Sequence, residues 1–372
     1  MRFARALQIQ AVLFLLVIVA GFAFVVARFA TPDGRDPFSV MGWTQIADGE
    51  FTKKVDDGVV AALPKSNALD GLQAGLEYRV LDDAGPQVRA GCFGWLFLGE
   101  EVWEVKNGDR NLAQHLAIAK RVAADFARRR VGLVILTVPD KARVAATQLC
   151  EQRVSPQAQA RLALWNRLVA EVPVTKVDIV EGWPGKPGYW RTDTHWDREG
   201  ARFAAMRTAQ AVDGILNGRG SERADVTKAS QAQIRPGDLM HLSNLQNAPS
   251  SLQPPPDMER AQTIAWHRSG GLLDTRPPAD VILAGSSYSK NSGFIDALGL
   301  ALGREVVQLS QDGAGFDGAM FALLNKHRTT LARTKVVVWE FPERSLTQPL
   351  TDDEHAYLND NRRPSTLRRQ LP

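Results

Sequence analysis

The sequence of 372 residues contains only two cysteines and six histidines. Neither residue type recurs at a spacing typical of metal sites, such as CxxC or HExxH, so no metal centre is expected. Lys and Arg exceed Asp and Glu by only 45 to 41, and no nucleic-acid-binding module accompanies the scattered basic runs, which argues against a nucleic-acid partner. The 44% of hydrophobic and 23% of charged residues are those of an ordinary globular chain.

Only one long apolar segment is present, and it lies at the amino terminus. Arg2 and Arg5 precede an uncharged run over residues 11–27, and about 22 largely apolar residues would span roughly 30 Å as a helix, the thickness of a bilayer core. We predict an uncleaved signal-anchor that leaves the amino terminus in the cytoplasm and the remainder in the periplasm, at the inner membrane. A cleaved signal peptide is the alternative, because residues 25–27 resemble a weak cleavage site.

Export changes what the two cysteines are expected to do. Cys92 and Cys150 are the only pair in the sequence. In an oxidising periplasm they can form one disulfide, and two buried free thiols are the alternative.

Apolar runs and helical patterns alternate through the body of the chain. Five runs have strand character, and they cover residues 131–138, 175–180, 280–285, 304–310 and 335–341. Apolar residues recur at helical spacing before the first run and within residues 155–171, 199–216 and 315–333. This alternation predicts an α/β fold with a doubly wound, mostly parallel sheet covered by helices on both faces. In such folds functional groups collect at the carboxyl edge of the sheet.

Breaks in composition suggest the domain boundaries. We predict a signal-anchor at residues 1–30, a polar stalk at 31–75, one enzyme domain at 76–350 and a loosely held basic tail at 351–372. Residues 219–275 are rich in Gln, Ser, Pro and Asn and predict a loop-rich insertion over one face of the domain.

Two short segments at predicted strand ends contain residue types suited to nucleophilic catalysis. The stretch "DVILAGSSYSKN" (280–291) reads as a buried strand that ends in a serine turn, and "TDTHW" (192–196) places Asp193 two residues before His195. On an extended segment these two side chains project to one side, where the carboxylate can orient the imidazole as a base for a serine. The alternative is that both segments are ordinary turns, the second followed by a helix capped by Asp197.

The order of several motifs resembles a known family. The segments are "GWLFLGEE", "VPDKARV", "TDTHW", "GDLMHL", "GSSYS", "DGAGFDGAM" and "VVWEFPERSL", between about residues 90 and 346. Together they are similar to the alginate O-acetyltransferase family of the AlgJ and AlgX type, whose domain resembles SGNH hydrolases. A single apolar span and this length are closest to the layout of the membrane-anchored AlgJ-like members.

The resemblance implies specific roles for the serine turn and the Asp-x-His segment. Ser287 occupies the serine position of the Gly-x-Ser turn and would be the nucleophile, with His195 as the general base and Asp193 as its orienting carboxylate. Ser286 and Ser289 are rival serines that fit the motif less well. The Asp-x-His segment precedes the serine, which resembles the circularly permuted motif order of this family.

Backbone and amide N–H groups near the nucleophile are candidates for an oxyanion hole. The N–H of Ser287 is the first candidate, because such a donor must lie about 3 Å from the developing charge. Gly313 and Gly315 allow close backbone approach, although a turn with positive φ would also require glycine. The side chain of Asn291 is a further candidate.

Aromatic and basic side chains near these motifs are candidates for substrate binding. Tyr288, Trp196 and Trp190 could stack on sugar rings, with packing in the core as the alternative. Lys141 and Arg344 follow strands and could contact an anionic uronate, with structural ion pairing as the alternative.

The resemblance implies a periplasmic O-acetyltransferase that acts, without a cofactor, on hydroxyls of an exported polysaccharide such as alginate. A membrane-bound O-acyltransferase partner would deliver the acetyl group, because acetyl-CoA is not expected in the periplasm. Other polysaccharide-secretion proteins are further expected partners. A secreted carbohydrate or lipid esterase with the same triad and an inactive polysaccharide-binding scaffold are the alternatives, since transferase and esterase share their catalytic machinery.

Overall fold

The computed structural model describes residues 2–30, 49, 51–54, 56–57, 66–183, 187–267 and 279–360. The helices are α1 (Arg2–Phe29), α2 (Asn67–Leu81), α3 (Gly108–Arg129), α4 (Lys141–Val144), α5 (Pro156–Val169), α6 (Arg198–Leu216), α7 (Asp238–Leu242), α8 (Ser287–Lys290), α9 (Phe294–Leu302), α10 (Gly318–Lys326), α11 (Arg328–Leu331) and α12 (Asp352–Asn359). The strands are β1 (Val88–Ala90), β2 (Leu96–Leu98), β3 (Gly132–Val138), β4 (Thr175–Val177), β5 (Ala224–Lys228), β6 (Gln233–Arg235), β7 (Asp257–Glu259), β8 (Gln262–Trp266), β9 (Val281–Ala284), β10 (Val306–Gln308) and β11 (Val336–Pro342).

The central sheet has five parallel strands in the order β10-β9-β11-β3-β4. Each of the five predicted strands is present, and four of them are shorter than the apolar run that predicted them. Strands β9 and β11 are buried along their whole length, as expected for a sheet that is covered on both faces. The predicted α/β fold is therefore confirmed.

Alternate residues of each strand supply two separate cores. Ile135 and Trp339 point to the face that α3, α5 and α10 cover. Their neighbours Val134 and Val338 point to the opposite face, which α6 and α9 cover. This division follows from the two-residue side-chain period of a strand, and it explains why the runs are apolar almost without interruption.

Two predicted elements near the carboxyl terminus differ in the structure. The helix predicted at 315–333 divides into α10 and α11, because His327 between them leaves the helical conformation. Residues 351–360 are not a loose tail, because α12 has a capping box formed by Thr351 and Glu354 and packs Tyr357 into the core. Residues 361–372 lie outside the described residues.

The insertion is more regular than the predicted loop-rich region. Strand β5 pairs with β8 and β6 pairs with β7, both antiparallel, and α7 follows β6. A Cβ added to Gly237 would lie 2.0 Å from the carbonyl oxygen of Thr192, so the turn between β6 and α7 packs directly on the segment that carries His195. Residues 268–278 of the predicted insertion lie outside the described residues.

Backbone contacts divide the chain into two compact units, Met1–Asp70 and Gly71–Pro372. In the second unit Gly75 packs against Leu252 and Ala248, so the folded domain begins earlier than the predicted boundary at residue 76. The first unit contains α1. None of the helices within the described residues has both the length and the apolar character needed to cross a membrane, a finding that does not support the predicted anchor at residues 1–30.

A disulfide joins the turn between β1 and β2 to the segment after α4. Cys92 and Cys150 are bonded, with their Cα atoms 5.6 Å apart and a sequence separation of 58. This Cα separation lies within the usual range for disulfides. The bond closes a long loop, so it should restrict the unfolded chain.

We predict that replacing both Cys92 and Cys150 by serine lowers the free energy of unfolding by roughly 2–4 kcal/mol. Urea denaturation of the oxidised protein, the reduced protein and the double variant measures this change. The reduced protein should match the double variant, and equal midpoints for oxidised and reduced protein would contradict the prediction.

Candidate active site

The serine turn follows directly from the end of β9. Ser286 caps α8 by accepting a hydrogen bond from the Tyr288 N–H at 3.2 Å, so Ser287 becomes the first residue of the helix. A Cβ on Gly285 would lie 2.0 Å from the hydroxyl oxygen of Ser289, which explains why glycine precedes the turn. Ser287 therefore lies at the carboxyl edge of the sheet, where functional groups are expected in an α/β fold.

A buried carboxylate beneath the turn binds the two rival serines. Glu340 on β11 accepts hydrogen bonds from the Ser286 N–H at 2.8 Å, the Ser286 hydroxyl at 2.7 Å and the Ser289 hydroxyl at 2.7 Å. Burial raises the pKa of Glu340, although these hydrogen bonds act in the opposite direction. The hydroxyls of Ser286 and Ser289 are thus engaged below the turn, and Ser287 is the serine that faces the histidine.

Ser287, His195 and Asp193 form a continuous hydrogen-bonded chain. The Ser287 hydroxyl lies 2.8 Å from Nε2 of His195, and Nδ1 of His195 lies 2.6 Å from Oδ1 of Asp193. Burial alone would raise the pKa of Asp193, but hydrogen bonds from His195 and the nearby Arg235 hold it below its usual value. Because an ionised carboxylate only accepts hydrogen bonds, Nδ1 carries the proton and Nε2 is free to accept from the serine.

Three charged side chains hold the segment that carries His195. Asp257 accepts hydrogen bonds from the Thr192 N–H and hydroxyl, both at 2.8 Å, and Asp238 accepts one from the Thr194 N–H at 2.7 Å. Lys141 donates to the carbonyl oxygens of Leu96, Arg191 and Asp193 at 2.5, 2.8 and 3.0 Å. Asp197 caps α6 through the N–H groups of residues 199 and 200, as its sequence position predicted.

Arg235 links the histidine segment to the serine helix. Its guanidinium donates to Oδ2 of Asp193 at 3.2 Å and, more weakly, to Oδ1 of Asn291 at 3.5 Å. Glu259 accepts from the same guanidinium at 3.0 Å, and the ring of Trp190 lies 5.2 Å below it. The insertion therefore supplies a cation that contacts the carboxylate of Asp193.

A cavity of about 510 Å³ opens at the serine. Its lining consists of His195, Asp238, Ser287, Lys290, Asn291, Asp312 and Gly313. Among the oxyanion candidates, the lining includes Ser287, Gly313 and Asn291 but not Gly315. The amide of Asn291 already donates to the Ser287 carbonyl at 2.9 Å, and Gly313 has a positive φ of 66°.

Three of the predicted substrate-contact residues are fully buried in the structure and do not line the cavity. Tyr288 and Trp196 have no exposed surface, and each donates a hydrogen bond to a backbone carbonyl at 3.0 Å. Lys141 is also without exposed surface, and burial lowers its pKa to about 8. These residues build the floor of the site and support its loops, which was the alternative stated for the aromatic residues.

The remaining two substrate candidates are partly buried and already paired. Arg344 donates to the Tyr288 hydroxyl at 3.1 Å and lies 3.6 Å from a carboxylate oxygen of Glu100. Trp190 donates from its ring nitrogen to the Ser292 hydroxyl at 2.9 Å and has Arg235 over one face of the ring. Neither belongs to the lining of the cavity, so their contact with a sugar stays a prediction.

The carboxylates around His195 could suggest a metal, but their geometry favours hydrogen bonds. One ligand atom from each of Asp193, His195 and Asp238 lies within 4.8 Å of the others. The Asp193 and His195 atoms are only 2.6 Å apart, whereas ligand atoms at about 2.0–2.2 Å from one tetrahedral zinc would be about 3.3 Å apart. A guanidinium 3.2 Å from the same carboxylate further opposes a second cation.

Glu340, Asp238 and Arg235 belong to the site but were not predicted from the sequence. Glu340 could have been noticed in the sequence, because it is a carboxylate within an otherwise apolar strand. Asp238 lies inside "GDLMHL", one of the segments that carried the resemblance. Arg235 lies in a polar stretch with no motif, so only the folded chain reveals its contact with Asp193.

The chain is similar to proteins with a related domain over most of its length. A family model described as "SGNH hydrolase-like domain, acetyltransferase AlgX" matches residues 88–343. A protein of Pseudomonas fluorescens named "Probable alginate O-acetylase AlgJ" is 30% identical over 321 residues, which are 83% of this chain and 81% of that protein. The family resemblance found in the sequence is therefore confirmed.

Solved structures of similar domains agree with the fold. The O-acetyltransferase domain of Pseudomonas putida AlgJ superimposes with a TM-score of 0.61 at 28% identity, over 74% of this chain and 99% of that domain. The structure of Pseudomonas aeruginosa AlgX gives a TM-score of 0.52 at 16% identity, over 70% of this chain and 63% of AlgX, and supports the fold alone.

We predict that Lys141→Met destabilises the protein by roughly 2–5 kcal/mol, because it removes the buried donor that binds the carbonyl oxygens of Leu96, Arg191 and Asp193. Lys228→Met is the matched control, since Lys228 is exposed on β5 and should change the free energy of unfolding by less than about 0.5 kcal/mol. Urea denaturation measures both. A stable Lys141→Met protein with weakened binding of a sugar acceptor would instead support the substrate contact expected from sequence.

Proposed function

This chain belongs to the AlgX family of SGNH hydrolase-like acetyltransferases, and we propose that it O-acetylates hydroxyls of an exported polysaccharide through an acetyl-enzyme on Ser287. The observation that carries this proposal is the 2.8 Å contact between the Ser287 hydroxyl and Nε2 of His195. A hydrogen bond from His195 to Asp193 completes the arrangement that activates a serine.

In the first half-reaction Ser287 takes the acetyl group from a donor. The hydroxyl oxygen attacks the acetyl carbonyl, and its proton moves to Nε2 of His195. Asp193 stabilises the imidazolium that results and keeps Nδ1 as the donor. The tetrahedral intermediate then collapses, the bond to the leaving group breaks, and His195 returns the proton to that group.

In the second half-reaction a sugar hydroxyl takes the place of the leaving group. His195 removes the proton of this hydroxyl as its oxygen attacks the acetyl-serine carbonyl. Collapse of the second intermediate releases the acetylated sugar, and the proton returns to Ser287. Water could make the same attack, so transfer rather than hydrolysis requires that the acceptor sugar excludes water from the cavity.

Backbone N–H groups at the mouth of the cavity would stabilise the oxyanion in both steps. The N–H groups on either side of Ser287 are engaged by Glu340 and by the Ser286 hydroxyl. Ser287 itself occupies the first helical position, where an N–H has no acceptor within the helix. Its N–H and that of Gly313 across the cavity are the two donors we assign to the oxyanion hole.

The relatives suggest the polymer and the setting of the reaction. The similar proteins carry alginate in their names, so we propose alginate as the first acceptor to test. The disulfide between Cys92 and Cys150 supports an oxidising compartment, as expected for the periplasm. In that compartment a membrane-bound O-acyltransferase partner would supply the acetyl group.

We predict that Ser287→Ala and His195→Ala each lower acetyl transfer by at least about 10³-fold, and that the double variant is little worse, because members of a triad act as one unit. The assay supplies the full chain with an activated acetyl ester and alginate oligosaccharides, and it measures acetylated sugar and free acetate separately. Ser250→Ala, at an exposed position, is the matched control and should retain full activity.

The two products separate the proposed function from its alternatives. Acetylated oligosaccharide that disappears in Ser287→Ala supports the transferase. Acetate alone, formed at the same rate with and without sugar, would make the protein an esterase. Transfer to neutral cellulose oligosaccharides but not to alginate would support the mechanism and show that alginate is not the acceptor.

A further inference from the structure

Two charged side chains from the insertion lie beside His195 and Asp193, and they carry opposite charges. Arg235 ends strand β6, and Asp238 begins helix α7 two residues after the intervening proline. This segment lies outside the five-stranded sheet. Its contacts with the triad therefore suggest a role in the chemistry.

Arg235 neutralises Asp193 and fixes its position. Its side chain is only 15% exposed and lies 3.2 Å from Oδ2 of Asp193. The same guanidinium reaches Asn291, whose amide holds the carbonyl oxygen of Ser287. Arg235 thus contacts both the segment that carries His195 and the end of the helix that begins at Ser287. Its positive charge opposes the gain of a proton by His195.

Asp238 acts on His195 in the opposite direction. Its Oδ1 accepts a hydrogen bond from the Thr194 N–H at 2.7 Å, which aims its Oδ2 at Nδ1 of His195, 3.6 Å away. Within the described part of the chain Asp238 makes no ion pair with a lysine or arginine at 4.0 Å or less. Its charge therefore remains available to favour an imidazolium.

Other charged groups around the histidine are engaged elsewhere. Lys141 donates to three backbone carbonyls, one of them that of Asp193. Across the cavity Lys290 pairs with Asp312 at 2.5 Å. Glu340 faces the serine turn from below, and the ring of Tyr288 packs 4.9 Å from the imidazole. Near His195 this leaves Asp193 and Asp238 against Arg235. The guanidinium of Arg235 is shared with Glu259, which also pairs with Arg198 at 2.7 Å.

We propose that Arg235 and Asp238, which the insertion supplies, are positioning residues of opposite sign that set how readily His195 accepts a proton. This inference rests on the proposed function of His195 as the general base. Asp238 stabilises the imidazolium formed during acetyl transfer, whereas Arg235 prevents the histidine from holding a proton before the substrate arrives.

The test is the pH dependence of kcat/KM for acetyl transfer by the full chain. Protonation of the base lowers kcat/KM on the acid side of the profile. Asp238→Asn should move this acid limb to lower pH by about 0.5 unit, since its side chain is 39% exposed and partly screened. Arg235→Gln should move the limb to higher pH by about 1 unit. The double variant should lie between the two single variants.

Matched controls and a rescue variant separate this role from a structural one. Asp225→Asn and Arg223→Gln make the same charge changes at exposed positions of the insertion and should leave the limb in place. Arg235→Lys keeps the charge and should restore most of the wild-type pH profile, even if KM or kcat falls.

A second measurement does not depend on activity. In the Ser287→Ala protein, the ring resonances of His195 can be followed by NMR against pH, and the chain has only six histidines. Asp238→Asn and Arg235→Gln should move the midpoint of this titration in opposite directions. Shifts in the same direction, or none, would overturn the inference even if Ser287→Ala is inactive and the proposed function stands. If the shifts are opposite but the wild-type protein has no transferase activity, the inference about the proton affinity of His195 stands and the proposed function is refuted instead.

Discussion

The hydrogen bonds between Glu340 and the serine turn fix the position on which the site depends. A carboxylate on a central strand is costly to bury unless several donors surround it, and here two hydroxyls and one N–H provide them. Because the hydroxyls of Ser286 and Ser289 donate to Glu340, Ser287 is the one of these three serines whose hydroxyl is available to react. It also ties the turn to β11 at the centre of the sheet, which gives Ser287 a rigid support.

The histidine segment is held in a different way, by charged groups that come from outside the sheet. Asp257, Asp238 and Arg235 all belong to the insertion, and Lys141 follows β3. Each binds backbone or side-chain atoms between residues 191 and 195. The insertion thus does more than cover one face, because without it Asp193 would lose its cation and the loop would lose most of its side-chain acceptors.

The sequence predicted the parts of the fold and site that depend on local pattern. Five apolar runs predicted the five strands of the sheet. The three central strands are buried almost completely, because a sheet covered on both faces needs apolar residues at every position. Asp193 and His195 were recognised from their spacing. Residue type alone could not tell that Tyr288, Trp196 and Lys141 point into the protein, since an aromatic ring or a lysine suits a binding site and a core equally well.

Contacts between distant segments account for what the sequence could not predict. Arg235 meets Asp193 across 42 residues, and Glu340 meets Ser286 across 54. Such pairs have no period or spacing that a single sequence reveals. The split of the helix at 315–333 and the ordered helix α12 likewise depend on packing, although the capping box at Thr351 was a local signal that could have predicted α12.

Trapping the covalent intermediate tests the central claim most directly. The full chain would be mixed with an activated acetyl ester in the absence of sugar, quenched in acid and digested, and the peptides analysed by mass spectrometry. The account predicts acetyl on the hydroxyl of Ser287, and none at this position in His195→Ala under the same conditions. Acetyl on Ser286 or Ser289, or no acetylated serine in a protein that still transfers acetyl to sugar, would contradict it.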